Sequence, residues 1–184
     1  MKRDFFREYS IRPEDTLYFM PADPVGKRKS TIIHTVNGET IVPYQVKTVL
    51  KKYQMLSSIN QHFVGQVVFD ATRKKMLYPL PIRPNIVLIP VKTRLKNAKR
   101  GTYGYMNLPH IQKIGPSGVL ESRSRILFQN QTSLLSSQNT RSLEQNFLCA
   151  KYLQNHYFAK CAEAGISYDI IGSLMTTFPE WEQE

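Results

Sequence analysis

Apolar residues recur along this chain with two different periods, and the change of period divides it. Between Leu17 and Phe128 the apolar runs are mostly short and strand-like, bounded by Pro, Gly and Asn. Leu17–Met20 reads as a short strand that stops at Pro21. Ser30–Val36 and Glu39–Tyr44 flank Asn37-Gly38, a dipeptide suited to a type I′ turn because both central residues of that turn need positive φ. The three segments together predict a hairpin. Phe63–Phe69, Met76–Leu80, Asn85–Val91, Tyr103–Leu108 and Arg125–Phe128 are further strand-like runs, limited in length by Pro79, Pro81, Pro84 and Pro90.

Three segments follow the helical period instead. Val46, Val49, Leu50 and Tyr53 predict a helix over Gln45–Leu56. Leu143, Phe147, Ala150, Leu153, Tyr157, Cys161 and Ala164 predict a longer one. There Ser142 and Gln145 have the spacing of a capping box, and Gly165 supplies a stop. Ser167–Thr177 predicts a second, shorter C-terminal helix ahead of Pro179. The first fifteen residues are polar and are expected to fray. The pattern predicts a single α+β domain over residues 1–184. Its core is a mostly antiparallel sheet or partly open barrel, with a helical C-terminal segment over 142–184 packed against it.

Charge changes this picture. The chain has 25 Lys and Arg against 14 Asp and Glu, a net charge of +11. The excess is concentrated in residues 1–113, which hold 20 basic and 7 acidic residues. From Ala71 to Leu120 there is no acid, while Arg73, Lys74, Lys75, Arg83, Lys92, Arg94, Lys96, Lys99, Arg100 and Lys113 all fall in that window. Cations without local counter-charge raise a positive potential that a polyanion meets by releasing counterions. Nucleic acid is the expected partner. An anionic membrane surface is the rival, and a solvated loop that only keeps the protein soluble is the bland alternative. The densest stretch, Lys92 to Arg100, lies between two expected strands, where a basic loop can reach into a groove. Asn97, Tyr103, Tyr105 and Asn107 stand beside it as donors to phosphates or base edges.

Other chemistry has little support. No apolar run approaches the ~20 residues that span a bilayer, and Met1–Ser10 lacks the apolar core of a signal peptide. A cytoplasmic location is therefore expected. Cys149 and Cys161, twelve apart on one expected helix, read as reduced core thiols. His34, His62, His110 and His156 are scattered and form no metal-ligand pair, and no glycine-rich phosphate loop is present. No catalytic residue, metal or cofactor is expected. Zinc-finger spacing, a basic zipper and a clear helix-turn-helix are also missing, and the expected long helix carries only Lys151 and Lys160 as cations. Loops and strands are thus the expected contacts. The apolar stretch from Ile166 to Trp181 either packs on the domain or serves self-association or adaptor binding.

Several blocks, in order, resemble the ComK family of competence transcription factors, over about Tyr18 to Tyr157. They are Met20-Pro21 with Gly26-Lys27 and Ile32-Ile33; Pro81-Ile82 with Asn85-Ile-Val-Leu-Ile-Pro90; Gly104-Tyr-Met-Asn-Leu-Pro-His-Ile111; and Ile126-Leu-Phe-Gln-Asn130 followed by Ser142-Leu-Glu-Gln and Tyr152-Leu153. Tyr105 stands where the family usually has tryptophan. The resemblance implies an activator of late competence (DNA-uptake) genes that binds AT-rich promoter DNA largely from the minor groove. It also implies a homo-oligomer of dimers associating on DNA, contact with RNA polymerase, a nucleoid location and control by a protease adaptor, for which Met76-Leu-Tyr-Pro79 is a candidate grip. On this reading Arg94, Lys96, Lys99 and Arg100 enter the groove, Lys74, Lys75 and Lys92 hold phosphates, and Arg73 beside them is a further DNA-binding candidate. Tyr105 and Asn107 position the loop or touch sugar. Leu143, Phe147 and Tyr157 are core or oligomer contacts. The alternatives are an RNA-binding module, with Tyr103 and Tyr105 stacking on unpaired bases, and a small nucleic-acid-cleaving enzyme.

Overall fold

A computed structural model describes residues 4–22, 29–57, 65–66, 69–70, 77–93, 102–120 and 122–163. The fold is α+β. Six antiparallel strands form the main sheet in the order β3-β2-β1-β6-β5-β4. These are β1 (Thr16–Pro21), β2 (Thr31–Thr35), β3 (Gly38–Val42), β4 (Leu80–Arg83), β5 (Ile86–Thr93) and β6 (Thr102–Asn107). A smaller sheet has the order β7-β8-β9, from Ile111–Pro116, Ser124–Phe128 and Ser133–Ser136. Neither sheet closes into a barrel. Helices α1 (Phe5–Glu8), α2 (Val46–Gln54) and α3 (Thr140–Glu163) complete the fold.

The central strands of the main sheet are buried on both faces, and two apolar clusters show how. On one face Phe19, Ile33, Ile82 and Leu88 pack with Val49 and Tyr53 of α2 and Phe5 of α1. On the other, Tyr18, Val87, Ile89, Val91 and Met106 pack with Ile126, Phe128 and Leu134 of the small sheet and Leu143 and Ala150 of α3. This double burial explains why Ile86-Val-Leu-Ile89 lacks polar alternation: successive side chains point to opposite faces, and both faces are dry. At Gly104 an added Cβ would lie 2.6 Å from the carbonyl oxygen of Phe19 and 2.9 Å from Met20 Cβ. Only glycine lets β6 approach β1 this closely.

Several expectations are corrected. Residues 4–15 do not fray as a unit: Asp4 caps α1 by accepting from the Phe6 N–H, and Phe5 and Ile11 are buried. The hairpin forms, but not as a type I′ turn on Asn37-Gly38. Thr35 pairs with Gly38, so Val36 and Asn37 make the connection, and Gly38 alone takes the left-handed region with φ +143°. The Thr35 hydroxyl closes the turn, accepting from the Asn37 N–H and donating to the Gly38 carbonyl. Helix α3 starts two residues earlier than expected, because Asn139 caps it: its Oδ1 accepts from the Ser142 N–H at 2.7 Å. Gly65, Gln66, Phe69 and Asp70 are helical, not strand. Met76–Leu80 is not a strand as a whole, since Leu77 has φ +53° and β4 begins only at Leu80. Strands β7 and β9 were not expected. Gly165 and the second C-terminal helix lie outside the described residues.

Candidate nucleic-acid interface

The densest part of the acid-free window lies between two paired strands. Strands β5 and β6 pair antiparallel in register from Leu88↔Asn107 to Thr93↔Thr102. The Thr93 and Thr102 side chains close the last pair, each hydroxyl within 3.4 Å of the other strand's carbonyl. The connection between them, residues 94–101, includes four cations and no acid. A stretch of consecutive β pairing thus ends where the cationic segment begins, and β6 is anchored on its other side by β1. The outer edge of β5 is held as well. Lys92 N–H donates to Gln138 Oε1 at 2.7 Å, and the Lys92 carbonyl accepts from Ser136 Oγ at 2.8 Å and from the Ser137 N–H at 3.1 Å.

Strand register places the same end of the sheet under other cations. Pro21 pairs with Thr31, and Ala22 N–H donates to the Ser30 carbonyl, so β1 ends and β2 begins beside the 93–102 end of β6. Helix α2 starts there too: Gln45, Val46 and Lys47 share a groove of about 350 Å³ with Pro21, Lys29, Ser30 and Thr102. Lys29 and Lys47 are exposed. Among the described residues, Lys29, Lys47 and Lys92 have no ion-pair partner.

The opposite end of the sheet is different. Glu14 and Asp15 precede β1 and pair with Arg12; Glu39 follows the β2–β3 turn and faces His34 at 3.6 Å. Arg83 is held by the Leu56 carbonyl at 3.1 Å. Tyr53 at the C-terminal end of α2 shares a 2.6 Å hydroxyl bond with Thr16, and burial pushes its phenol well above the ordinary range. His34 is stacked on Tyr18 with ring centroids 4.3 Å apart. Burial lowers its pKa, with Glu39 opposing, and burial pushes the Tyr18 phenol up to about 12.

The twelve candidate residues fall into three groups. Lys92 and Tyr103 are cross-strand partners at the cation-rich end. Tyr103 is 36% exposed and walls a groove of about 370 Å³ with Leu77, Pro90, Gln138, Ser142 and Gln145. Tyr105 and Asn107 point into the fold instead. The Tyr105 ring stacks on Phe19, 5.5 Å between centroids, and burial raises its pKa, helped by Tyr78. Asn107 is fully buried; its Oδ1 accepts from the Val87 N–H at 3.0 Å, and its Nδ2 donates to the Asn85 carbonyl at 3.4 Å. Its amide is spent on the backbone of Asn85 and Val87. Arg73, Lys74, Lys75, Arg94, Lys96, Asn97, Lys99 and Arg100 lie outside the described residues. Lys113, from the same window, stands exposed on β7 of the small sheet.

Sequence reasoning missed Lys29 and Lys47, which are remote from the window along the chain. One signal for Lys47 was available. It sits in the first turn of α2, where the helix dipole disfavours a cation, whereas Lys51 and Lys52 sit in the favoured last turn.

Among the described residues no group of His, Cys, Asp and Glu could hold a metal ion, and no helix is long and apolar enough to cross a membrane. Comparisons with family models, curated proteins and solved structures give no match.

Proposed function

We propose that this protein is a DNA-binding transcription activator of the competence factor type, which engages AT-rich duplex largely through the minor groove. The observation that carries the reading is the polarity of the main sheet. One end gathers Lys29, Lys47 and Lys92, without ion-pair partners among the described residues, around the strand ends that launch the cationic segment 94–101. The other end holds Glu14, Asp15 and Glu39, paired with Arg12 and His34. A hairpin fixed at Thr93 and Thr102 is a suitable base for a groove-entering loop, because the strands fix the direction of entry at no cost on binding. A-tracts have a narrow minor groove with enhanced negative potential, which favours Arg and Lys there.

The resemblance to the competence factors supplies the rest of the proposal. The protein acts in the nucleoid as associated dimers, contacts RNA polymerase and is removed through a protease adaptor. No residue is assigned a catalytic role.

Replacing Arg94 and Arg100 together with Ala tests the reading. Gel shift on an A-tract duplex is expected to lose most binding, at roughly 1–3 kcal/mol per contact, with circular dichroism unchanged. Undiminished binding would refute the assignment. The exposed ring of Tyr103 beside a polar groove favours one second reading, an RNA-binding module that stacks unpaired bases. Competition between duplex DNA and single-stranded RNA separates the two.

A further inference from the structure

A groove of about 350 Å³ opens between the end of β1, the start of β2, the first turn of α2 and the first residue of β6. Pro21, Ala22 and Val46 give it an apolar floor, and Lys29 and Lys47 supply its two cations. Among the described residues no acid pairs with either ammonium group, and the dipole of α2 disfavours that of Lys47. Thr102, which lines the groove, is also the residue at which the cationic segment 94–101 re-enters the sheet. The groove is thus lined by the residue that directly follows the cationic segment in the chain.

From this juxtaposition we infer that the Lys29–Lys47 groove is a second contact for nucleic acid, holding the sugar–phosphate backbone of duplex DNA beside the stretch that residues 94–101 read. The inference rests on the duplex-binding reading and extends it. Lysine is suited to the task as a mobile point charge that meets phosphate without bidentate geometry. The apolar floor faces the deoxyribose. Contacts of this kind fix register and orientation and carry no sequence information. The groove thus contributes affinity and salt dependence, while preference for A-tracts resides in the hairpin connection.

The test is Lys29→Gln/Lys47→Gln in the full chain. Fluorescence anisotropy is measured on a 30-bp duplex with a central A-tract, and on a mixed-sequence duplex of the same length, across a salt series. The slope of log K against log salt is expected to become shallower by about 1.8, two phosphates at −0.9 each. The ratio of affinities for the two duplexes should stay unchanged. The conservative variant Lys29→Arg/Lys47→Arg should restore the slope. Both lysines are exposed, so thermal melting should be unaffected. A slope equal to wild type would overturn the groove assignment and leave the duplex-binding reading intact. So would a lost A-tract preference, because the groove would then read sequence. Wild-type protein that bound neither duplex would overturn both.

Discussion

The two ends of the main sheet are built from the same strands and treat charge in opposite ways. At the Thr16 end Arg12 and Arg83 are spent, and Lys51 and Lys52 complement the dipole at the end of α2. Arg12 lies near both Glu14 and Asp15, Arg83 donates to a backbone carbonyl, and the polar side chains Asn107, Thr16 and His110 are satisfied by other groups of the fold. At the Thr93–Thr102 end, Lys29, Lys47 and Lys92 stand without ion-pair partners among the described residues, and the sequence adds four more cations in the connection between β5 and β6. The difference is not one of stability. Exposed ion pairs such as Arg12–Glu14 contribute about 0–1 kcal/mol at most, so their absence at the other end costs little. What differs is the potential. Like charges collected at one end repel one another until a polyanion arrives. Under the proposed duplex-binding reading, the comparison assigns one end of the sheet to folding and the other to a partner.

Substitutions at the folding end sharpen the contrast. Asn107→Ala leaves the buried Val87 N–H without its acceptor and should cost about 1–3 kcal/mol in chemical denaturation. Duplex affinity of the folded protein should not change, and a large affinity loss at full stability would move Asn107 back to the interface. A smaller effect concerns His34. Burial lowers its folded pKa below the ordinary 6.5, so the unfolded chain binds more protons around and below that pH. The stability it contributes is present above 6.5 and lost as pH falls. The melting temperature should therefore drop between pH 7.5 and 5.5, and His34→Gln should flatten the drop. Equal pH dependence in both proteins would contradict the burial argument. The smallest effect is expected from Arg12→Gln, within about 0.5 kcal/mol of wild type in stability and with no change in duplex binding. If that variant weakened binding, the division between the ends would break.

How legible this was from the sequence varied with the element, for physical reasons. Asn85–Val91 was found because a strand buried on both faces is apolar throughout. Helix α2 was found because Val49 and Tyr53 bury one stripe and leave Lys47 and Lys51 outside. Strand β7 was missed because an irregularity between Ile111 and Lys113 breaks its alternation. In β9, Leu134 points inward and Leu135 outward, which hides the period in Ser-Leu-Leu-Ser. Pro90 sits inside β5 against the usual rule. It lies past the last pair with β4, where no strand pairs with the outer edge of β5.

Of the candidate residues, what the sequence made legible was the placing of Lys92 and Tyr103 at one end of paired strands. Lys92 and Tyr103 were readable because the charge run and the strands bounding it are local. Asn107 was chosen for its amide, and only packing reveals that the amide serves Val87. Lys29 and Lys47 could not be joined to the window by spacing, since it is the pairing of β1 with β2 and β6 that brings them there.

The most direct test of the central claim is the salt dependence of duplex binding by the unmodified protein. Equilibrium binding to one A-tract duplex between 50 and 200 mM salt should give a log–log slope of about −4 or steeper, because five of the cations at this end suffice at −0.9 per phosphate. Binding that does not vary with salt, or no binding at the lowest salt, would contradict the account.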